Sequence, residues 1–440
     1  MQDTICAIST PQGIGGIAVV RISGSDAILI ADKLFHGKHT LSDAPGYSAH
    51  YGTFADTDDV IATVFRTPHS FTGEDTVEIA CHGSLYIQQE ILRRLIDTGC
   101  RPALPGEFTR RAFLNGKMDL SEAEAVADLI AAESKAAHEI ALNHLRGGIS
   151  NELKQLRDRL LQFTSLVELE LDFADHEELE FADRSELKAL AKETEQHLKR
   201  LVDSFQLGNA LKNGVPVAIV GATNAGKSTL LNALVGDERA IVSDIHGTTR
   251  DTIEDTLRIE GVLFRLIDTA GIRQTDNTIE NIGIERSKAA AGKAAIVIVL
   301  HDATQTETDD YAWIDAGKRL DVYNKSDLLT DEQKKLYAGK GLLLSAKRGE
   351  TEELIQHLIK RCRKKEAEGQ VLISNIRHYN ALKEAMEAIV RVEDGLENNV
   401  SGELLSMDLQ DCLSALGEIT GEITSQEVLN NIFKHFCIGK

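Results

Sequence analysis

The stretch "GATNAGKS" (221–228) limits what this chain can fold into more than any other. It satisfies G-x-x-x-x-G-K-[ST], an apolar run from Val215 to Val220 leads in, and "TLLNALVG" leads out as a helix. Such a loop cradles phosphates with its N–H groups and the helix N-terminus, so Asn224, Ala225, Gly226, Lys227, Ser228 and Thr229 form the phosphate-binding set. Lys227 reaches the β- and γ-phosphates, and Ser228 offers a hydroxyl to Mg²⁺. A strand–loop–helix of this kind calls for a parallel sheet with crossover helices. The β-runs "VPVAIVG", "FRLIDTAG", "AAIVIVL" and "GLLLSA" alternate with helical stretches as that requires.

Three further motifs follow in order. "DTAG" ends the strand "FRLI", so Asp268 can hold Mg²⁺ through water while Thr269, Ala270 and Gly271 lie along the γ-phosphate. "NKSD" follows "LDVY" and supplies Asn324, Lys325 and Asp327. The Asp327 carboxylate can accept from both N1–H and the exocyclic amine of guanine, whereas adenine has an acceptor at N1 and would leave that carboxylate unpaired. "SAK" (Ser345, Ala346, Lys347) closes over the base. Taken singly each is a turn; together they specify GTP. "GTTRD" (247–251) falls where a switch loop must reach the γ-phosphate, with Thr249 the natural Mg²⁺ ligand. Ile272 follows DTAG, so no glutamine stands there to orient the attacking water, and no arginine finger can be assigned.

The 440 residues call for two or three domains, and 42% hydrophobic with 27% charged residues fits a soluble globular chain. A net charge of −21 argues against an autonomous nucleic-acid binder, although "TRRAFLNGK" and "KRCRKK" are locally basic and otherwise read as solvated faces. The six cysteines are scattered without a CxxC pair, which fits neither a disulfide scaffold nor a zinc site. No leader and no spanning run of apolar residues is visible, and the chain reads as cytoplasmic.

Texture changes divide the chain. Residues 1–117 mix short strands with turns and one clear helix, "SLYIQQEILRRLIDTG". Within them "GIGGIA" fits G-x-G-x-x-A, but the strand-like "VVRIS" follows it and excludes a dinucleotide-binding turn. Helical period runs over 118–213, opening on Ser121-x-x-Glu124 as a capping box, with an acidic connection at 174–184. The α/β block covers 214–369, and amphipathic helices return over 370–440. The expected architecture is a Ras-like P-loop α/β domain inserted in an all-α domain, preceded by an α+β domain.

The chain resembles the MnmE (TrmE) family of bacterial tRNA-modification GTPases along essentially its whole length. The carriers are "GGIAVVRISG", "SFTGEDTVEI", "PGEFTRRAFLNGKMDLSEAEAVADLI", "GATNAGKSTLLNAL", "IDTAGIR", "IENIGIERS" and the ending "FCIGK". The resemblance implies an N-terminal folate-binding domain that dimerises, and a GTPase that needs potassium and pairing of its G domains. It also implies a flavoprotein partner, MnmG, with which an aminomethyl or carboxymethylaminomethyl group is placed on C5 of the wobble uridine of certain tRNAs. The potassium ligands carry over to Asn224, Ser243, Ile245 and Thr248, within a nucleotide-binding stretch of Ser243, Asp244, Ile245, His246, Gly247, Thr248 and Thr249. Ser243 takes the place of an expected threonine, a change that a backbone contact survives. Glu280 matches the glutamate that orients the water. Arg21, Glu78, Lys117 and the terminal Lys440 match the contacts to 5-formyl-tetrahydrofolate or another tetrahydrofolate one-carbon derivative, although each taken alone reads as a surface charge. "HGS" (82–84) departs from the expected HGG.

Cys437 has three readings. "CIGK" is a poor prenylation box, since its last two residues are Gly439 and Lys440. A packed cysteine and a catalytic thiol both stay open, the second being what the resemblance implies. Two other functions compete with tRNA modification. A ribosome-assembly switch would need an RNA-binding appendage, and none is evident; a folate-dependent transferase would use GTP only as a structural ligand.

Overall fold

The computed structural model describes residues 3–172, 184–235, 241–242, 255–267, 288–305, 311–337, 339–363 and 371–439. Two compact units divide the chain: Met1–Ile130 with Asn143–Lys188 and Arg391–Lys440, and Ala131–Leu142 with Ala189–Val390.

The first unit opens with β1 (Ile5–Ile8), β2 (Gly15–Ser23), α1 (Ala27–Leu34), β3 (Phe35–Gly37), β4 (Ser48–Phe54), β5 (Asp58–Phe65), β6 (Thr76–Gly83), α2 (Leu85–Asp97), β7 (Arg101–Pro102) and α3 (Glu107–Leu114). Its seven-stranded sheet has the order β3-β4-β5-β6-β2-β1-β7. Side chains alternate across a strand, and the burial follows that period of two. Ala18, Val20 and Ile22 of β2 and Val77, Ile79 and Cys81 of β6 are buried in one core with Ile28 of α1 and Ile91 and Leu95 of α2. Arg21 and Glu78 therefore stand on the opposite face, directly across from each other in the antiparallel register. The glycine-rich 13–18 stretch enters β2 at Gly15 and so leads into a strand, not into a helix.

The chain continues with α4 (Leu120–Ala131), α5 (Lys135–Leu145), α6 (Gly148–Asp172) and α7 (Arg184–Asn213). The cap of α4 lies two residues earlier than expected. Asp119 Oδ1 accepts from the Glu122 N–H at 2.8 Å, and the Glu122 carboxylate accepts from the Asp119 N–H at 2.9 Å. Ser121 is inside the first turn, donating to Asp119 and pairing with Ser150. An aspartate is as good an N-cap as a serine, and "DLSEAE" offers both in overlapping register. The expected acidic connection lies outside the described residues.

The nucleotide block holds β8 (Val215–Gly221), α8 (Lys227–Val235), β9 (Ile241–Val242), β10 (Asp255–Ile259), β11 (Val262–Ile267), β12 (Ile296–Asp302), β13 (Arg319–Asn324), α9 (Asp331–Lys335), β14 (Leu342–Leu343) and α10 (Glu352–Arg363). Its seven-stranded sheet runs β14-β13-β12-β8-β11-β10-β9. From β14 to β11 the pairing is parallel, as the alternating texture requires. β10 and β9 add antiparallel at the β11 edge. The two-residue turn at Glu260 and Gly261 is too short for a crossover and forces the hairpin. Leu211 of α7 and the partly buried Ala136, Ile140, Leu207 and Ala210 complete this block's core, which is why α7 from Ala189 on and α5 up to Leu142 belong to the second unit.

Three helices finish the chain: α11 (Ile376–Glu397), α12 (Gly402–Thr420) and α13 (Gln426–Phe433). α12 packs along α6, with Glu168 accepting from Ser406 and Gln410, Gly402 against Val167 and Leu171, and Arg157 paired to Glu422. α13 buries Leu429 and Phe433 with Leu120 and Ala123 of α4. Among the described residues no helix is long and apolar enough to cross a membrane.

Replacing Asp119 by alanine removes a cap that binds in both directions and should cost about 1 kcal/mol, read as a lower urea midpoint at unchanged slope. Ser121→Ala should cost less than half of that, whereas a capping role for Ser121 would reverse the ranking.

Candidate active site

β8 leaves the middle of the sheet at Gly221, level with Leu300 of β12, while Asp302 of β12 stands level with Asn324 of β13. These strands thus end at one carboxyl edge, where open α/β sheets bind ligands. The chain turns there through Asn224 (φ 67°) and Gly226 (φ 97°) into α8 at Lys227. Gly226 has no room for a side chain, since a Cβ there would lie 2.3 Å from Asn324 Nδ2. Lys227 Nζ donates to the carbonyls of Gly221 and Ala222 at 2.7 and 2.8 Å, so the ammonium is held across the loop. With the first N–H groups of α8 this makes a positive cradle suited to phosphate.

The base end is fastened to that cradle. The buried Asn324 carboxamide donates to the Ala225 carbonyl at 2.9 Å and accepts from the Ala346 N–H at 3.0 Å. It therefore joins the phosphate loop, the NKSD loop and the SAK loop. Asp327 Oδ1 accepts from the Ser345 hydroxyl at 2.6 Å, and that bond holds its carboxyl below the usual range. A carboxylate kept ionised is acceptor-only, as guanine recognition requires. Lys325, in left-handed backbone at φ 68°, pairs with Asp302 at 2.6 Å. Burial pushes the Asp302 carboxyl up, but the Lys325 and Thr304 donors outweigh it and leave it low.

The structure brings Asn224, Ala225, Gly226, Lys227, Ser228 and Thr229 to one corner of this edge, and Asn324, Lys325, Asp327, Ser345, Ala346 and Lys347 beside them. Ser243, Asp244, Ile245, His246, Gly247, Thr248, Thr249, Asp268, Thr269, Ala270, Gly271, Glu280 and Lys440 lie outside the described residues. Asp302 was missed from sequence; its only signal is an acid at the end of the apolar run "IVIVLH".

A second site candidate lies in the first unit. Arg21 and Glu78 form an ion pair at 2.7 Å, and the Arg21 guanidinium lies 5.6 Å from the ring centres of both Phe71 and Phe108. The carbonyl of Gly439 accepts from Ser9 Oγ at 3.2 Å and from Arg21 at 3.5 Å. Gly439 is left-handed (φ 93°), and a Cβ there would meet the Ile8 carbonyl at 2.5 Å. Lys117, just after α3, reaches the loop that carries Phe71 and donates to the Pro68 carbonyl at 3.0 Å. The Gly106 N–H donates to the Cys437 carbonyl at 3.3 Å. The tail is thus fastened by its backbone on both sides of Ile438, and the Cys437 thiol is exposed while Cys6, Cys81, Cys100, Cys362 and Cys412 are buried. That thiol is therefore not part of a core within this chain.

Sheet order, the P-loop at its carboxyl edge and the NKSD and SAK loops fastened beside it together define a P-loop protein of the GTPase class. The model of the MnmE helical domain matches residues 120–437, and that of the N-terminus of the GTP-binding protein TrmE matches residues 4–117. The tRNA modification GTPase MnmE of Parabacteroides distasonis is 53% identical over 461 residues, with 100% of each chain covered. Its counterpart in Bacteroides thetaiotaomicron is 50% identical over 466 residues, again with 100% of each covered. That of Porphyromonas gingivalis is 51% identical over 467 residues, covering 100% of this chain and 98% of its own. The chain belongs to the MnmE (TrmE) family of tRNA modification GTPases.

Gly226→Ala puts a side chain both into left-handed backbone and against Asn324. Affinity for a fluorescent GTP analogue should fall at least about tenfold, with far-UV circular dichroism unchanged. Wild-type affinity in that variant would contradict the Gly226–Asn324 contact.

Proposed function

We propose that this chain is the GTP-hydrolysing component of the system that modifies C5 of the wobble uridine in certain tRNAs, adding an aminomethyl or carboxymethylaminomethyl group. The observation that supports it most is Asn324 fastening a phosphate loop to a guanine-reading carboxylate, in a chain similar along its full length to curated tRNA modification GTPases. Lys227 and the start of α8 hold the phosphates, and Asp327 reads the base. Ser228 and Thr249 are the Mg²⁺ donors, and hydroxyl oxygens suit that hard cation. Asn224, Ser243, Ile245 and Thr248 are the potassium ligands; the ion supplies positive charge beside the phosphates, as an arginine finger does elsewhere. Glu280 orients the attacking water. Hydrolysis depends on potassium and on pairing of G domains across a homodimer.

In the same reading, residues 1–117 bind the folate and dimerise, 118–213 and 370–440 form the helical domain, and 214–369 form the inserted G domain. Arg21, Glu78, Lys117 and Lys440 hold 5-formyl-tetrahydrofolate or a related one-carbon derivative. The donor set fits, with cations for its carboxylates, a carboxylate for the pterin amine, and the Phe71 ring at the Arg21 guanidinium for stacking. That ligand supplies one-carbon chemistry when bound. The exposed Cys437 is the nucleophile towards C6 of the uridine, which raises electron density at C5. The partners are tRNA and an MnmG-type flavoprotein, and the compartment is the cytoplasm.

Nucleoside analysis of tRNA from cells lacking the protein should show the C5 group missing from wobble uridine, and normal modification there would refute the proposal. Asp327→Asn should move preference from GTP to xanthosine triphosphate by at least about tenfold, because an amide can donate where the carboxylate only accepts. Cys437→Ser should keep GTPase activity and lose modification, and full modification in that variant would remove the nucleophile role.

A further inference from the structure

The serine that steadies the base-reading carboxylate is itself held in place. Ser345 is fully buried, with 0% of its surface exposed. Its hydroxyl donates to Asp327 Oδ1 at 2.6 Å, and its backbone N–H donates to Glu350 Oε2 at 3.0 Å. The same Glu350 oxygen accepts from the hydroxyl of Ser326, the neighbour of Asp327, at 3.1 Å. The Glu350 N–H returns to the Ser345 carbonyl at 3.1 Å, and the Ser326 N–H donates to the Leu344 carbonyl at 3.1 Å. A single carboxylate oxygen thus ties the loop after β13 to the loop after β14, on either side of the Asp327–Ser345 bond.

Glu350 lies beyond the SAK motif, and as a residue it is exposed. Core packing therefore sets no demand for an acid there, while the two donors converging on Oε2 do. An ionised carboxylate has roughly four acceptor sites, so Asp327 keeps most of its own for the base after accepting from Ser345. Which way those sites point depends on the Asp327 rotamer, and that is set by the position of Ser345.

We infer that Glu350 is a specificity-determining positioning residue: by holding Ser345 and Ser326 together it aims the Asp327 carboxylate at the N1–H and exocyclic amine of guanine. The inference rests on the guanine reading of the site. Without Glu350 the buried Ser345 N–H loses its acceptor and Ser326 its tie to Ser345; the Asn324 and Leu344 backbone bonds still join the loops, but Ser345 is less firmly placed, and the second of the two guanine hydrogen bonds weakens most.

The test compares GDP with inosine diphosphate, which lacks the exocyclic amine, by equilibrium binding to the full chain. Glu350→Ala should cut the preference for GDP over inosine diphosphate by about tenfold. Glu350→Gln keeps an acceptor oxygen in place and should stay within about threefold of wild type. Ser326→Ala, which loses only one of the two ties, should fall between them. Equal weakening of both nucleotides by Glu350→Ala would reduce Glu350 to a loop support and overturn the inference, as would an unchanged preference. A wild-type chain that binds both nucleotides alike would refute the guanine reading itself, so the two failures are told apart.

Discussion

A single buried carboxamide sets the geometry of the nucleotide site. Asn324 spends its amide on the phosphate loop and its oxygen on the SAK loop, so loops leaving β8, β13 and β14 cannot move independently. A buried polar group of this kind is costly unless satisfied, and each of its bonds is to backbone, which side-chain changes at Ala225 or Ala346 other than to proline leave in place. Gly226 follows from it directly, because the loop must pass Asn324 too closely for any Cβ. The Lys227 loop and the Asp327 carboxylate are thereby held at one distance from each other.

The first unit solves a different problem with similar means. Its sheet has one face covered by α1 and α2 and the other carrying Arg21, Glu78 and neighbouring apolar residues. The polypeptide tail is brought onto that second face by backbone hydrogen bonds from Gly106, Ser9 and Arg21. Fastening a tail through its carbonyls leaves its side chains free. That is why Cys437 is the exposed cysteine in a set otherwise buried.

Much of this was legible in the sequence, for a physical reason. The phosphate-loop and NKSD motifs fix residue types at set spacings, which placed Lys227, Ser228 and Asp327 at one sheet edge from sequence alone, and the alternation of apolar residues made the strands of the first sheet readable. What stayed hidden depends on register and on contacts between distant segments. That Arg21 and Glu78 face each other is a matter of strand pairing. Asp302 and Glu350 act on other loops; Asp302 is marked in its own neighbourhood only by ending an apolar run, and Glu350 by nothing. The α4 cap was displaced because Asp119 and Ser121 offer the helix competing starts. The antiparallel edge turned on two residues, Glu260 and Gly261, between runs that otherwise look alike.

The packing of α12 on α6 bears on how such a chain can be made. The two partners are separated by about 230 residues, so on a ribosome adding roughly 5–20 residues per second α6 waits on the order of 10–50 s for its partner. During that interval Val167 and Leu171, which Gly402 later meets, have no α12 to pack against. The nucleotide block, whose sheet lies wholly within the interval, has its strands complete before α12 emerges. Synthesis order thus places both sheets, the N-terminal one and then that of the nucleotide block, ahead of the packing of α12 on α6.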